Sequence, residues 1–91
     1  MTRDEFEKLV TYWSLRAEIA NGEDLGKKNN KQVKRIVLST KKYQYYLRYT
    51  IDVNDTFEIQ DVDKIPRRTG ISSLSELAYG SEALKLLNYL E

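Results

Sequence analysis

Ninety-one residues, 41% of them hydrophobic and 32% charged, suffice for one hydrophobic core and not for two, so a single small domain is expected. The formal net charge is +1, and cysteine and histidine are both absent. Their absence excludes a disulfide framework, a thiolate metal site and the side chain that most often moves protons near neutral pH. With no constellation of Ser, Asp, Glu, Lys or Tyr in their place, catalysis is disfavoured, and no metal or cofactor is expected.

A helix is predicted from about Arg3 to Ala20. Thr2 with Glu5 three places later is a capping-box pattern, and Asp4 and Glu5 suit the positive end of the helix dipole. Phe6, Leu9, Val10, Trp13 and Ala17 recur at helical spacing, Leu15 and Ile19 broaden the stripe, and Asn21-Gly22 is a stop signal. No apolar run follows Met1, and no stretch approaches the ~20 apolar residues of a membrane span, so a cytoplasmic protein is the expectation. From Glu23 to Lys31 the chain is polar and reads as a loop.

Strands come next. Tyr43, Tyr45, Leu47, Tyr49, Ile51 and Val53 alternate with Gln44, Tyr46, Arg48, Thr50 and Asp52, the period of a strand with one buried face. Val33 to Ser39 is predicted as the preceding strand and Phe57 to about Val62 as the following one. A three-residue loop at Asn54-Asp55-Thr56 pairs Val53 with Phe57 and Ile51 with Ile59, keeping one apolar face. By the same parity, an even-length loop near Thr40 to Lys42 turns Ile36 and Leu38 to the core. The final region reads as helical, with Ser73 and Glu76 as a second capping box and a break at Tyr79-Gly80-Ser81. Leu74, Leu77, Ala78, Leu84 and Leu87 mark its apolar side, widened by Leu86 and Leu90. The expected fold is α+β in the order α-β-β-β-α: a three-stranded antiparallel sheet with helices covering one face.

Charge is unevenly distributed along this chain. Lys27, Lys28, Lys31, Lys34, Arg35, Lys41, Lys42 and Arg48 lie between Leu25 and Ile51 with no acidic residue among them. Tyr46 shares a sheet face with Arg48 and Arg35, a pairing suited to an interface hot spot or to stacking on a base. The other strand tyrosines belong to the core side by parity. Lysines at strand edges and hairpin tips also serve solubility, and some of these cations can pair with Glu58 or other acids across the sheet. Pro66-Arg67-Arg68-Thr69-Gly70, followed by Ser72 and Ser73, places two guanidinium groups before a predicted helix, as an anion site requires. Asp52, Asp55, Asp61 and Asp63 lack the spacing of an EF-hand loop.

Small size, the lack of a catalytic constellation and segregated charge point first to a non-catalytic protein that acts by protein–protein contact: an inhibitor, an immunity-type factor or a regulatory accessory. The Lys-, Asn-, Tyr- and Ile-rich composition is common in low-GC bacteria, their phages and mobile elements. The alternative is a nucleic-acid-binding protein using Lys27 to Arg48 with Arg67 and Arg68. The binding residues singled out for either reading are Lys34, Arg35, Lys41, Lys42, Tyr46, Arg48, Arg67 and Arg68.

Overall fold

The computed structural model of this chain describes residues 1–67 and 75–91. Helix α1 (Arg3–Ser14) leads into strands β1 (Glu18–Lys28), β2 (Lys31–Ser39), β3 (Tyr43–Ile51), β4 (Phe57–Pro66) and β5 (Glu76–Tyr79), and helix α2 (Gly80–Asn88) follows. The described strands form one antiparallel sheet in the order β1-β2-β3-β4-β5. The class is α+β as expected, but the sheet has five described strands rather than three. Both helices lie on one face. Phe6 of α1 stacks on Phe57 and lies tilted against Tyr49, and Ala83 and Leu87 of α2 join the same buried cluster as Leu38, Tyr45, Leu47 and Val62. No helix among the described residues is long and apolar enough to cross a membrane.

The first helix starts where the capping box requires: Thr2 Oγ1 accepts from the Glu5 N–H, and the Glu5 carboxylate accepts from the Thr2 N–H. It ends at Ser14, six residues before the expected limit. Glu18, Ile19 and Ala20 instead pair with Ser39, Leu38 and Val37. A helical extension to Ala20 would have left the edge of β2 at Val37, Leu38 and Ser39 without these partners. The expected loop over Glu23–Lys31 is largely strand too. It closes on β2 through Asn29 and Asn30, both with positive φ (54° and 64°), the backbone of a two-residue hairpin turn that asparagine tolerates. β1 escapes the period-two pattern because its register shifts twice, between Ala20 and Glu23 and between Asp24 and Lys27. At the first shift Gly22 lies close under Ile36, where an added Cβ would stand 3.3 Å from Ile36 Cγ2.

The central strands keep the predicted faces. Ile36 pairs with Leu47 and Leu38 with Tyr45 across an even-length turn. The next hairpin has the predicted parity in a shifted register: Ile51 pairs with Phe57 and Tyr49 with Ile59, so the loop spans residues 52–56 and Val53 is 85% exposed. The reason is local hydrogen bonding. The Asp52 carboxylate accepts from the Asn54 and Thr56 N–H groups, and Asp55 takes a left-handed conformation (φ 62°), so the wider turn is satisfied by its own side chain.

Gln60 is an extra residue in β4: Tyr49 pairs with Ile59, yet Arg48 pairs with Asp61. Without this bulge strict alternation would carry Phe57, Ile59, Asp61 and Asp63 to one face and drive two carboxylates into the core. With it, Val62 joins the core and Asp61 and Asp63 turn to the opposite side.

Over residues 76–79 the predicted helix is corrected. Glu76–Tyr79 is an edge strand on β4, and Leu77, expected on an apolar helix face, is 52% exposed. Gly80, with φ 54°, makes the corner into α2. Ser73 and Leu74 fall outside the described residues.

Candidate functional site: the open face of the sheet

Helices cover one face, so alternate residues of the strands form an open face on the other. The register aligns them in rows across the sheet. One row runs Glu23, Arg35, Arg48, Asp61, Tyr79 from β1 to β5; the next runs Val37, Tyr46, Asp63, Leu77 from β2 to β5. Arg35 and Arg48 stand directly opposite each other, an unfavourable pairing of like charges that each relieves by turning outward. Arg35 Nη2 donates to Glu23 Oε2 at 2.8 Å, and Arg48 grips Asp61 through both Nε (2.9 Å to Oδ2) and Nη2. Asp61 is 8% exposed, so its charge needs that partner. The expected pairing of Arg48 with Glu58 is replaced by this one because the Gln60 bulge brings Asp61 opposite Arg48. Glu58 instead lies 3.8 Å from Lys31.

Tyr46 lies at the centre of this surface. Its ring is approached by the Arg35 guanidinium, 5.8 Å from the ring centroid, and its hydroxyl donates to Gln44 Oε1 at 3.2 Å. Around it the face dips into a depression of about 410 Å³ bordered by Leu25, Ile65, Leu77 and Tyr79. Leu25, Leu77 and Tyr79 are 43%, 52% and 63% exposed, a density of apolar side chains that the covered face would have buried. Among the described residues, Arg35 Nε and Asp63 Oδ1 have no hydrogen-bond partner although both atoms are buried. An unsatisfied buried donor or acceptor costs about 1–3 kcal/mol.

The sequence-predicted binding residues therefore occupy three separate places. Arg35, Tyr46 and Arg48 share the open face. Lys34 points to the helix side, on the rim of a groove of about 610 Å³ between α1 and the β1–β2 pair. Lys41, Lys42 and Arg67 gather at one end of the sheet, where the Arg67 N–H donates to the Lys42 carbonyl at 2.9 Å. Arg68 lies outside the described residues, as does most of the predicted Arg67-Arg68 anion site. Glu76, the second member of the predicted capping box, opens a strand.

Leu25, Asp61, Asp63, Leu77 and Tyr79 were not foreseen as neighbours of Tyr46. One signal was available in the sequence: Asp61 and Asp63 continue the parity of Phe57 and Ile59, a conflict that only a bulge resolves. The acidic loop residues are likewise accounted for by structure, Asp52 by its turn and Asp55 by Arg3, whose Nε and Nη2 donate to it at 2.8 and 2.6 Å. No family model, no curated protein and no solved structure matches this chain.

Proposed function

We propose that this chain is a non-catalytic protein-binding domain, of the inhibitor, immunity-type or regulatory kind, that docks its partner on the open face of the sheet. The observation that carries this reading is the composition of that face: Tyr46 at the centre, exposed Leu25, Leu77 and Tyr79 around it, and arginines already paired with carboxylates. Tyrosine and arginine are enriched at interface hot spots, and an apolar rim that excludes water strengthens what they contact. The internal ion pairs cancel the field of the face. That argues against a polyanion here and for a partner that is mostly uncharged at its contact, offering apolar side chains to Leu77 and Tyr79.

The test is comparative capture from lysate with the native chain, a Tyr46→Ala/Tyr79→Ala variant and a Lys41→Glu/Lys42→Glu variant, each confirmed folded by its melting transition. One and the same protein retained by the native chain and the lysine variant and lost with the tyrosine variant supports the reading. With that protein purified, the tyrosine variant should bind at least tenfold more weakly, since hot-spot truncations cost about 2 kcal/mol or more. A partner held equally by all three would refute the open face as its site.

A further inference from the structure

The cations of this chain divide into two populations. Arg3, Lys31, Arg35, Arg48, Lys64 and Lys85 each pair with a carboxylate within 4 Å. Lys8, Arg16, Lys27, Lys28, Lys34, Lys41, Lys42 and Arg67 pair with none among the described residues, and the fold collects four of these, Arg16, Lys41, Lys42 and Arg67, at one end of the sheet. Arg16 comes from the α1–β1 connection, Lys41 and Lys42 from the β2–β3 turn and Arg67 from the end of β4. Arg16, Lys41 and Arg67 line a cleft of about 480 Å³ in which Glu18 is the one carboxylate.

Backbone contacts hold this cluster in place. Arg67 donates its N–H to the Lys42 carbonyl and its Nη1 to the Thr40 carbonyl, both at 2.9 Å. Thr40 is itself locked to the backbone of Tyr43. Arg67 is exposed and retains further N–H donors, and Lys41 and Lys42 are exposed at the tip beside it. Arg16 adds a guanidinium stacked 4.4 Å from the centroid of half-exposed Tyr12, an aromatic surface at the same end. Ser14 and Ser39 border the cleft, whose one apolar lining residue is Ala17.

We infer that this end of the sheet is a second binding site, distinct from the open face, which takes the phosphate backbone of a nucleic acid. Four unneutralised cations on a fixed frame match a run of phosphates. A polar cleft with no apolar centre suits a phosphate backbone better than a protein interface core. Tyr12 with Arg16 offers a stacking surface for an unpaired base. Leu15, 75% exposed next to Arg16, makes an anionic lipid surface the competing occupant.

The experiment measures binding of fluorescent duplex DNA, single-stranded DNA and single-stranded RNA at 50 and 200 mM salt, with phosphatidylserine vesicles in parallel. Four phosphate contacts predict an affinity loss between those salts of about 150-fold for a duplex and about 50-fold for a single strand. Lys41→Glu/Lys42→Glu should abolish binding at 50 mM. Tyr46→Ala and Lys27→Glu/Lys28→Glu, at the opposite end, should leave it within about twofold. Absence of nucleic-acid binding at 50 mM, an equal loss with the Lys27/Lys28 variant, or binding to vesicles alone would each overturn the inference. Because Tyr46→Ala is included, failure here is distinguishable from failure of the open-face proposal.

Discussion

The covered and open faces of this sheet are made by the same strands, residue by alternate residue, yet they follow opposite rules. On the covered face each strand contributes apolar side chains, and Trp13, Tyr45, Leu38, Leu47, Val62 and Leu87 have no exposed surface. On the open face the charges compensate one another across strands, and the apolar residues stand at the border of a depression rather than in a core. The covered face carries the stability of the fold, because burial of apolar area is the dominant favourable contribution. The open face carries groups whose interactions are incompletely satisfied within the chain. The comparison teaches that a domain of this size can separate an apolar packing face from a charged open face by strand parity, with the bulge in β4 keeping the two apart.

The largest effect should come from the covered face. Trp13→Ala removes a fully buried side chain packed edge-on against Phe6 and should cost about 3–5 kcal/mol, read as the shift of a urea unfolding midpoint. A cost below 1 kcal/mol would mean that α1 does not close the core. Deleting Gln60 tests the bulge itself: Asp61 then follows Ile59 in strict alternation, so Val62 stays inward, Asp61 and Asp63 stay outward, and the variant should keep a cooperative thermal transition. Loss of the cooperative transition would show that the local geometry of the bulge, and not only the residue count it absorbs, is required.

Intermediate effects sharpen the contrast. Arg48→Ala leaves the buried Asp61 carboxylate without its partner and should cost about 1–2 kcal/mol, a value set below that of a fully buried pair because the Arg48 side chain is half exposed. Combining it with Asp61→Asn should recover part of that loss in a double-mutant cycle. Gly80→Ala separates two descriptions of the last region. Inside a helix the change would stabilise by about 1 kcal/mol, whereas at φ 54° it should destabilise by a similar amount.

The smallest effect is electrostatic and lies at the start of α1. Glu5 is held below its ordinary carboxylate value by hydrogen bonds from the Thr2 backbone and side chain, and Asp55 by the hydrogen bond from Arg3. A carboxylate with a depressed folded pKa contributes stability above its unfolded pKa, and that contribution is lost as pH falls through the folded value. Thermal stability should therefore hold above about pH 5 and decline below about pH 4, with a shallower acid limb in Arg3→Gln. An unchanged limb in that variant would show that the Arg3–Asp55 pair does not persist in solution.

Parts of this architecture were legible in the sequence because they depend on neighbours along the chain. The capping box at Thr2, the alternation from Tyr43 to Ile51 and the placement of Tyr46 opposite the core tyrosines all follow from local spacing. Parity at the Asn54 hairpin was legible too, although its register was not, since the Asp52 side chain widens the turn. The pairing of Arg48 with Asp61 was beyond reach, because it depends on a bulge at Gln60, on a different strand.

By itself the sequence determined the α+β class, the face of each residue in β2 and β3, and the start of α1. Tertiary structure alone decided that Glu18–Lys28 and Glu76–Tyr79 become edge strands. Neither segment has a clear period of two, one because bulges interrupt it and the other because it is four residues long. Both gain their conformation from the hydrogen-bonding edges of β2 and β4, which need partners whatever the local propensity. Tertiary structure also sorted the basic residues: Arg35 and Arg48 face carboxylates across the sheet and are paired, whereas Lys27, Lys28, Lys41 and Lys42, beside its turns, pair with none among the described residues.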